Sequence, residues 1–574
     1  MPKQSFVPDW AKGIIWYQIL PERFCNGDKA NDPGPRTLET AAPPGWKTSP
    51  WTGDWYKSAP WEGKSFSGFF STVTQRRYGG DLQGIIDRMG HIKKLGAQAL
   101  YLNPVFRSPS HHKYDGSSFH HIDETLGPDP VGDRKLIASE TDDPATWRWT
   151  AADRLFLELL SKAHALGLRV IMDGVFNHCG RDFFAFSDLR EKGRLSRYKN
   201  WFRGLRWNDS APDGFYYRGW WGLSSMPEFA RGQTFNEGYK RYLFNITSRW
   251  LAPDGKPYRG ADGFRLDVAE CVPHGFWQEW RKHVRALKPD AFLSAEVDSI
   301  SPAFVRGDEF DAMMNYPFAF SCAAFFNAGE NALTAAAFDN KLAEVRAAYA
   351  PQVTQVMQNL ISSHDTPRLR SIILNHAVTM NGFADFHRKS KLECNPSYKT
   401  GRGGEKERKL HILAAAFQAL YIGAPMIYYG DEYGMTGAND PDCRKPMLWP
   451  DMKYENESLR PGPGSEKEPN RPDLLLFESY REFLSARKKS PAITRGSYKT
   501  LLAEKDGRLL VFERKLGEET VVCVFNASSQ SRTVLLPAKG VKKPRLLAGA
   551  ASCSVEKGKL RVQISALSAA AVRV

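Results

Sequence analysis

The chain has 574 residues, 42% hydrophobic and 25% charged, an ordinary globular mix that excludes long disorder. No apolar run approaches the ~20 residues of a membrane-spanning helix, and the first ten residues contain no signal-type apolar stretch. The net charge of +15 is scattered and accompanied by no helix-turn-helix, RRM or zinc-finger spacing, so neither nucleic acid nor membrane is expected as a partner.

In chain order, short apolar runs fall at 14–20, 97–102, 168–173, 263–267, 292–296, 310–315, 356–362 and 424–429. Amphipathic helices separate many of them. One is predicted over 82–95, with Asp81 as N-cap and Gly96 as stop. Another is predicted over 151–166, opening on Thr150 with Asp153 three residues later and stopping at Gly167. Eight strands alternating with helices predict an α/β protein with a parallel sheet, and eight is the number that closes a TIM barrel.

Three stretches break the alternation: 33–77, with Trp46, Trp51, Trp55 and Trp61; 103–149, after strand two; and 179–240, after strand three. Insertions after barrel strands lie at the catalytic face. Most of these Trp side chains, with Trp220 and Trp221, are expected to fill small cores under loops, and one or two to line a cleft. After about residue 488 the pattern becomes short β-rich runs at 508–515, 520–526, 532–537 and 559–564, which predicts a C-terminal antiparallel β-sandwich. The expected organisation is a (β/α)8 barrel over 1–178 and 241–487, an inserted subdomain (domain B) over 179–240 after strand three, and the sandwich over 488–574.

The eight cysteines lie far apart with no CxxC, which fits neither a disulfide framework nor a cysteine zinc site. Buried free thiols in a reducing compartment are the expectation. That favours a cytoplasmic location, or a periplasmic or secreted one if a leader was removed ahead of residue 1.

Catalytic groups on a barrel sit at the strand ends. Strand four ends in Arg265 and Asp267, which a period of two places on one face. An arginine beside a carboxylate holds it ionised, as a nucleophile requires. Glu296 ends strand five, strand seven runs into His364 and Asp365, and strand three ends in Asp173 to His178. Arg265 and Asp267 alone could equally be a structural ion pair. Three carboxylates converging on one barrel mouth suit retaining glycoside hydrolysis, in which one attacks the anomeric carbon and a second, ~5–5.5 Å away, protonates the leaving oxygen.

The segments DGVFNH (173–178), GFRLDVAE (263–270), AEV (295–297) and SSHD (362–365) resemble the four short sequence blocks of the α-amylase family of glycoside hydrolases. WYQILPERF (16–24) and GAPMIYYGDE (423–432) extend the resemblance. It implies Asp267 as nucleophile, Glu296 as general acid/base and Asp365 as transition-state stabiliser, with Asp173, Arg265, His178, His364 and Tyr114 binding the sugar. SPSHHKYD (108–115), MNYPF (314–318) and DPDCRKPMLW (440–449) are most similar to the neopullulanase, cyclomaltodextrinase and maltogenic amylase group, though MPEF (226–229) stands where that group has MPKL. The substrates implied are maltooligosaccharides, cyclodextrins and starch cleaved at α-1,4 bonds, with some transglycosylation. A dedicated transglycosylase, a glucosidase and a non-catalytic binding subunit are the rival readings. Only 13 residues precede strand one, without the group's N-terminal sandwich, so a monomer with an open cleft is expected.

Asn26, Asp28, Asn31 and Asp32 put four oxygen-bearing side chains within seven residues. Locally this reads as a loop rich in Asx-turns. The resemblance reverses that and implies a Ca²⁺ site formed with Gly79 and Asp81 of Tyr78-Gly79-Gly80-Asp81.

Overall fold

The computed structural model describes residues 5–38, 40–375, 383–538 and 543–574. Its centre is a ring of eight parallel strands: β1 (Trp16–Ile19), β2 (Ala99–Leu102), β3 (Arg169–Gly174), β4 (Gly263–Leu266), β5 (Phe292–Ala295), β6 (Ala312–Met313), β7 (Gln358–Leu360) and β8 (Ala424–Tyr428). The order around the sheet is β6-β5-β4-β3-β2-β1-β8-β7, and a parallel bridge from Met314 to Gln358 closes the barrel.

Alternate residues of each strand fill the lumen in layers. The lower lumen is apolar, with Trp16, Ala99, Ile171, Phe292, Ala312, Ala424 and Met426 in one cluster. Two residues further along the strands the inward positions turn polar: Gln18, Asp173, Arg265 and Ser294 are all buried there. The outward residues Tyr17, Leu100, Val170, Phe264 and Leu293 belong to the separate core beneath the helices. Gly263 opens β4 at φ +151°, where a Cβ would lie 1.8 Å from the carbonyl oxygen of Phe292. Only glycine permits this approach of β4 to β5.

The helix expected over 82–95 is two helices, Leu82–Asp87 and Met89–Leu95. Gly84 and Gly90 weaken helix propensity on either side of the junction. Arg88, whose guanidinium lies 4.3 Å over the ring of Trp449, leaves helical geometry. The helix Ala151–Ala165 carries the expected capping box between Thr150 and Asp153.

The excursion after β3 holds the helix Phe184–Lys192, a short ladder pairing Arg206–Trp207 with Phe215–Tyr216, and an aromatic core in which Phe229 and Tyr239 stack at 3.7 Å. Among the described residues the C-terminal sandwich has eight strands: β9 (Ser497–Ala503), β10 (Leu509–Leu516), β11 (Glu519–Asn526), β12 (Arg532–Pro537), β13 (Arg545–Gly549), β14 (Ala551–Glu556), β15 (Lys559–Ile564) and β16 (Ser568–Arg573). They form a five-stranded sheet, β9-β10-β11-β16-β13, and a three-stranded one, β12-β15-β14. Val511, Val522, Val534, Val562 and Val572 pack between the sheets.

No disulfide forms: five cysteines are buried, Cys271 and Cys553 are partly so, and Cys394 is exposed rather than buried. Among the described residues no helix is long and apolar enough to cross a membrane.

Candidate active site

The polar layer of the lumen converges on Arg265, which is fully buried. Its Nη1 donates to Asp173 Oδ1 at 2.7 Å and to Asp267 Oδ1 at 3.0 Å. Its Nη2 lies 2.5 Å from Glu296 Oε1, as an ion pair without hydrogen-bond alignment. One guanidinium therefore faces three carboxylates from three adjacent strands. Burial is the larger influence on Asp267 and the charge of Glu296 the next, and together they raise its carboxyl well above the usual range against the pull of Arg265.

Asp267 and Glu296 are also tied through the backbone. Val268 donates its N–H to Glu296 Oε2 at 3.0 Å. Val268 sits at φ +39°, a left-handed conformation that a β-branched residue rarely adopts. Tyr316, at the start of the helix Tyr316–Phe325, adds its hydroxyl to Glu296 Oε1 at 3.3 Å.

Asp365 faces this pair across the cleft. His364 Nε2 lies 2.8 Å from its Oδ2, and Arg444 Nη2 donates to its Oδ1 at 3.1 Å. Burial pushes Asp365 up, but His364, Arg444 and Arg265 outweigh it and hold the carboxyl well below the usual range. Asp365 is thus anionic where Asp267 is reluctant to be.

Tyr114 closes one side. Its ring stacks on His364 at 5.4 Å and 4°, and its hydroxyl meets His364 Nε2 at 2.5 Å and donates to Asp173 Oδ2 at 2.9 Å. Tyr101 donates to the same Asp173 oxygen, and Asn103 to the Tyr114 hydroxyl. Gln18, inward on β1, spans Asn103 and His364 Nδ1 at 2.9 Å each. On the other side His178 is buried, its Nε2 has no hydrogen-bond partner, and burial pushes it down to about 3. A neutral imidazole with one buried, unpaired nitrogen can hydrogen-bond a ligand hydroxyl. His178 stacks on Trp220 at 4.8 Å, and Trp220 on Trp221 at 4.9 Å, so three rings run from the cleft floor to solvent.

The resulting cleft encloses about 350 Å³ and is lined by Asp267, Glu296, Asp365, Tyr114, His178 and His364 among others. That is within the range of small-ligand sites. Asp173 and Arg265 lie beneath it. Of the Trp residues, Trp220 and Trp221 line it, whereas Trp46 and Trp55 are buried in loop cores. Sequence reasoning missed Gln18, Tyr101, Asn103, Tyr316 and Arg444. Arg444 and Tyr316 lie inside DPDCRKPMLW and MNYPF, segments whose resemblance assigns no role to each residue.

The predicted cation residues gather on the loop after β1. Asp81 accepts four N–H groups: Gly27 N and Gly84 N on Oδ1, Asp28 N and Asn31 Nδ2 on Oδ2. It knots the loop to the helix Leu82–Asp87, which it caps. Asn26 Nδ2 donates to Asp32 Oδ1 at 2.6 Å. The Oδ1 atoms of Asn26 and Asn31 are buried without a donor. At Gly79, φ +78°, a Cβ would lie 2.4 Å from Asp32 Oδ1 and 2.6 Å from Asn26 Nδ2. Orphaned amide oxygens beside a carboxylate, on a loop packed too tightly for a side chain, fit a hard cation.

A closed (β/α)8 barrel that gathers paired carboxylates and stacking rings at its strand ends defines an enzyme of the glycosidase class. The chain belongs to the α-amylase family of glycoside hydrolases: the family model for the α-amylase catalytic domain matches residues 18–138 and 151–387, and that for the maltogenic amylase C-terminal domain matches 498–570. It is 36% identical to neopullulanase 2 of Thermoactinomyces vulgaris, over 92% of this chain and 72% of the relative. Identity to the cyclomaltodextrinase of Geobacillus thermopakistaniensis (strain MAS1) is 33%, over 94% and 74%. Among solved structures, the cyclic α-maltosyl-(1→6)-maltose hydrolase of Arthrobacter globiformis superposes with a TM-score of 0.70 at 26% identity, over 99% of this chain and all of that one.

Proposed function

We propose that the chain hydrolyses α-1,4-glucosidic bonds of maltooligosaccharides, cyclodextrins and starch with retention of configuration. Asp267 attacks the anomeric carbon. Glu296 protonates the leaving oxygen and then takes a proton from the incoming water. Asp365 stabilises the oxocarbenium-like transition state. Asp173 and Arg265 orient the reacting carboxylates from below. His178, His364 and Tyr114 bind hydroxyls and the face of the sugar in the cleaved position. A second sugar in place of water gives transglycosylation.

The observation that carries this reading is the Arg265 guanidinium, with one nitrogen on Asp267 and the other on Glu296. A single guanidinium between two carboxylates keeps them close together, which supports a retaining pair, whose spacing is ~5–5.5 Å. The names of the relatives, neopullulanase and cyclomaltodextrinase, support the glucan class. Proton NMR of the first product from maltotriose or β-cyclodextrin tests the mechanism. The α-anomer is expected, and initial β-anomer overturns the assignment. Chromatography of products from pullulan and starch separates hydrolysis from transfer.

We further propose that Ca²⁺ is held by Asn26, Asp28, Asn31, Asp32, Gly79 and Asp81. Its contribution is structural: it neutralises the carboxylates and ties the loop after β1 to the barrel. No chemical step involves it.

A further inference from the structure

A second cluster of ligating side chains lies away from the cleft, under the excursion that follows β2. His120, His121 and Glu140 each bring one ligating atom within 4.8 Å of the others. His120 Nε2 lies 3.5 Å from Glu140 Oε2, and His121 Nε2 lies 2.5 Å from the same oxygen. None of the three lines the catalytic cleft. We infer that His120, His121 and Glu140 form a binding site for a divalent ion of the zinc class, which clamps the 138–150 excursion to the barrel.

Two imidazole nitrogens and one carboxylate oxygen are the donor set of a borderline ion such as Zn²⁺, whereas Ca²⁺ and Mg²⁺ take all-oxygen sets. The surroundings argue further. A metal-bound histidine donates its other ring N–H to a carboxylate or similar acceptor, which fixes the ring. Here His121 Nδ1 is 2.8 Å from Asp153 Oδ2, and His120 Nδ1 is 2.8 Å from the Tyr242 hydroxyl. The His120 ring is held flat against Trp147 at 4.6 Å and 11°. Glu140 keeps its other oxygen on the backbone N–H of Arg148 at 2.7 Å, which leaves Oε2 as the ligand. Both imidazoles and the carboxylate are therefore oriented from behind by groups outside the cluster.

Ion binding replaces the direct contact between His121 Nε2 and Glu140 Oε2. Arg249, 2.9 Å from Asp153, is the opposing cation, and Asp153 neutralises it. The residues involved belong to four segments: the chain after β2, the 138–150 excursion, the helix Ala151–Ala165 and the helix Glu237–Leu251. A bound ion holds all four together.

The test uses the full chain, stripped with chelator and then re-equilibrated with Ca²⁺ so that the loop after β1 is not the variable. Zn²⁺ is titrated by calorimetry and Co²⁺ by its visible d–d absorption. One equivalent of Zn²⁺, a higher Tm, and the intense band of tetrahedral Co²⁺ are expected. Glu140→Gln and His120→Asn, checked for folding by circular dichroism, should lose the band and the Tm shift. Tyr242→Phe, which keeps the ring and removes the support behind His120, should weaken Zn²⁺ by about 10–100-fold. If either ligand variant misfolds, Tyr242→Phe alone decides. The inference is overturned by no Zn²⁺ uptake, by a Co²⁺ spectrum without tetrahedral character, or by unchanged affinity in the variants, which would place the ion elsewhere and leave the cluster a buried ion pair.

Discussion

The backbone N–H of Val268 donates to Glu296 Oε2 at 3.0 Å, so the carboxylate that ends β5 holds the residue that directly follows the carboxylate ending β4. Val268 has φ +39° there. Strain of this kind costs about 1–3 kcal/mol and persists where the surroundings over-determine the backbone. It is stored between the two proposed reacting groups. Val268→Gly removes it, offset by about 0.5–1 kcal/mol of extra unfolded-state entropy. The expected outcome is a slightly higher Tm with a lower kcat, because Glu296 loses a rigid anchor. A lower Tm would mean that packing of the Val268 side chain, not strain, dominates at this position.

Asp267→Asn should lower kcat by about 10⁴-fold or more, the scale of losing a nucleophile. It should also stabilise the fold. Burial and the charge of Glu296 raise the Asp267 pKa in the folded state. The native protein therefore binds a proton more readily there than the unfolded chain does, and ionising Asp267 costs stability as pH rises from the ordinary aspartate range through the folded pKa. The neutral amide escapes that cost. Its Tm advantage should be present at neutral pH and vanish below about pH 4, where the carboxyl is protonated in both states. Melting curves across pH, with a Tm gain that does not depend on pH, would refute this account.

Arg444→Gln should move the acid limb of the kcat/KM profile toward neutral pH. Arg444 donates to Asp365 Oδ1 and, through Nε, to the His364 carbonyl at 2.8 Å. It helps hold Asp365 well below the usual range against burial. With the guanidinium gone, Asp365 protonates at higher pH and its anionic form fails earlier on acidification. The same depressed pKa contributes stability above the ordinary aspartate range, lost as pH falls through the folded value, and that contribution should shrink in the variant. An acid limb that does not move would mean that His364 and Arg265 suffice to hold Asp365 anionic.

Much of this architecture is legible in the sequence, and the exceptions have physical causes. The parallel strands are buried on both faces and read as apolar runs, so all eight barrel strands stand out. Arg265 and Asp267 share a face because the period of two demands it, and the ion pair between them follows. The strand β16 (Ser568–Arg573) does not stand out, because three consecutive alanines carry little β propensity. Gln18 and Asn103 look like isolated amides along the chain, yet they meet at 2.9 Å across 85 positions. Only the parallel pairing of β1 with β2 brings that pair together. The stack of His178, Trp220 and Trp221 needs the fold of the β3 excursion, which no local pattern specifies.

Trp221→Ala should separate long substrates from short ones. Trp221 is 75% exposed at the cleft rim, adopts φ +51° and rests on Trp220. An exposed indole plane there offers a stacking face to a sugar ring beyond the cleavage point. Losing an aromatic stack of about 1 kcal/mol should raise KM for soluble starch about fivefold. The kcat on maltotriose should be unchanged, and so should the Tm, since little packing is lost. Equal effects on both substrates would place Trp221 at the reacting sugar instead.

Removing Ca²⁺ should destabilise the loop after β1 without touching the chemistry. Asn26 and Asn31 present buried Oδ1 atoms with no donor, an arrangement that costs free energy unless a cation or water supplies the partner. Burial raises the Asp32 carboxyl, which a divalent ion would reverse by favouring the anion. A ligand that binds only the native state adds RT ln(1 + [L]/Kd), about 2.7 kcal/mol at a hundredfold excess over Kd. For a chain of this size that corresponds to a Tm rise of about 2 °C or more if unfolding is cooperative. Chelation followed by Ca²⁺ alone, with Zn²⁺ excluded, isolates this contribution. Asp32→Asn should reduce the Ca²⁺-dependent shift, and Gly79→Ala should abolish it by driving a methyl against Asp32 and Asn26. In the wild type, kcat measured well below the Tm should be the same with and without the ion. Identical melting curves in the two states would show that the Asp81 knot alone secures this loop, and a loss of kcat without a change in Tm would contradict a structural role.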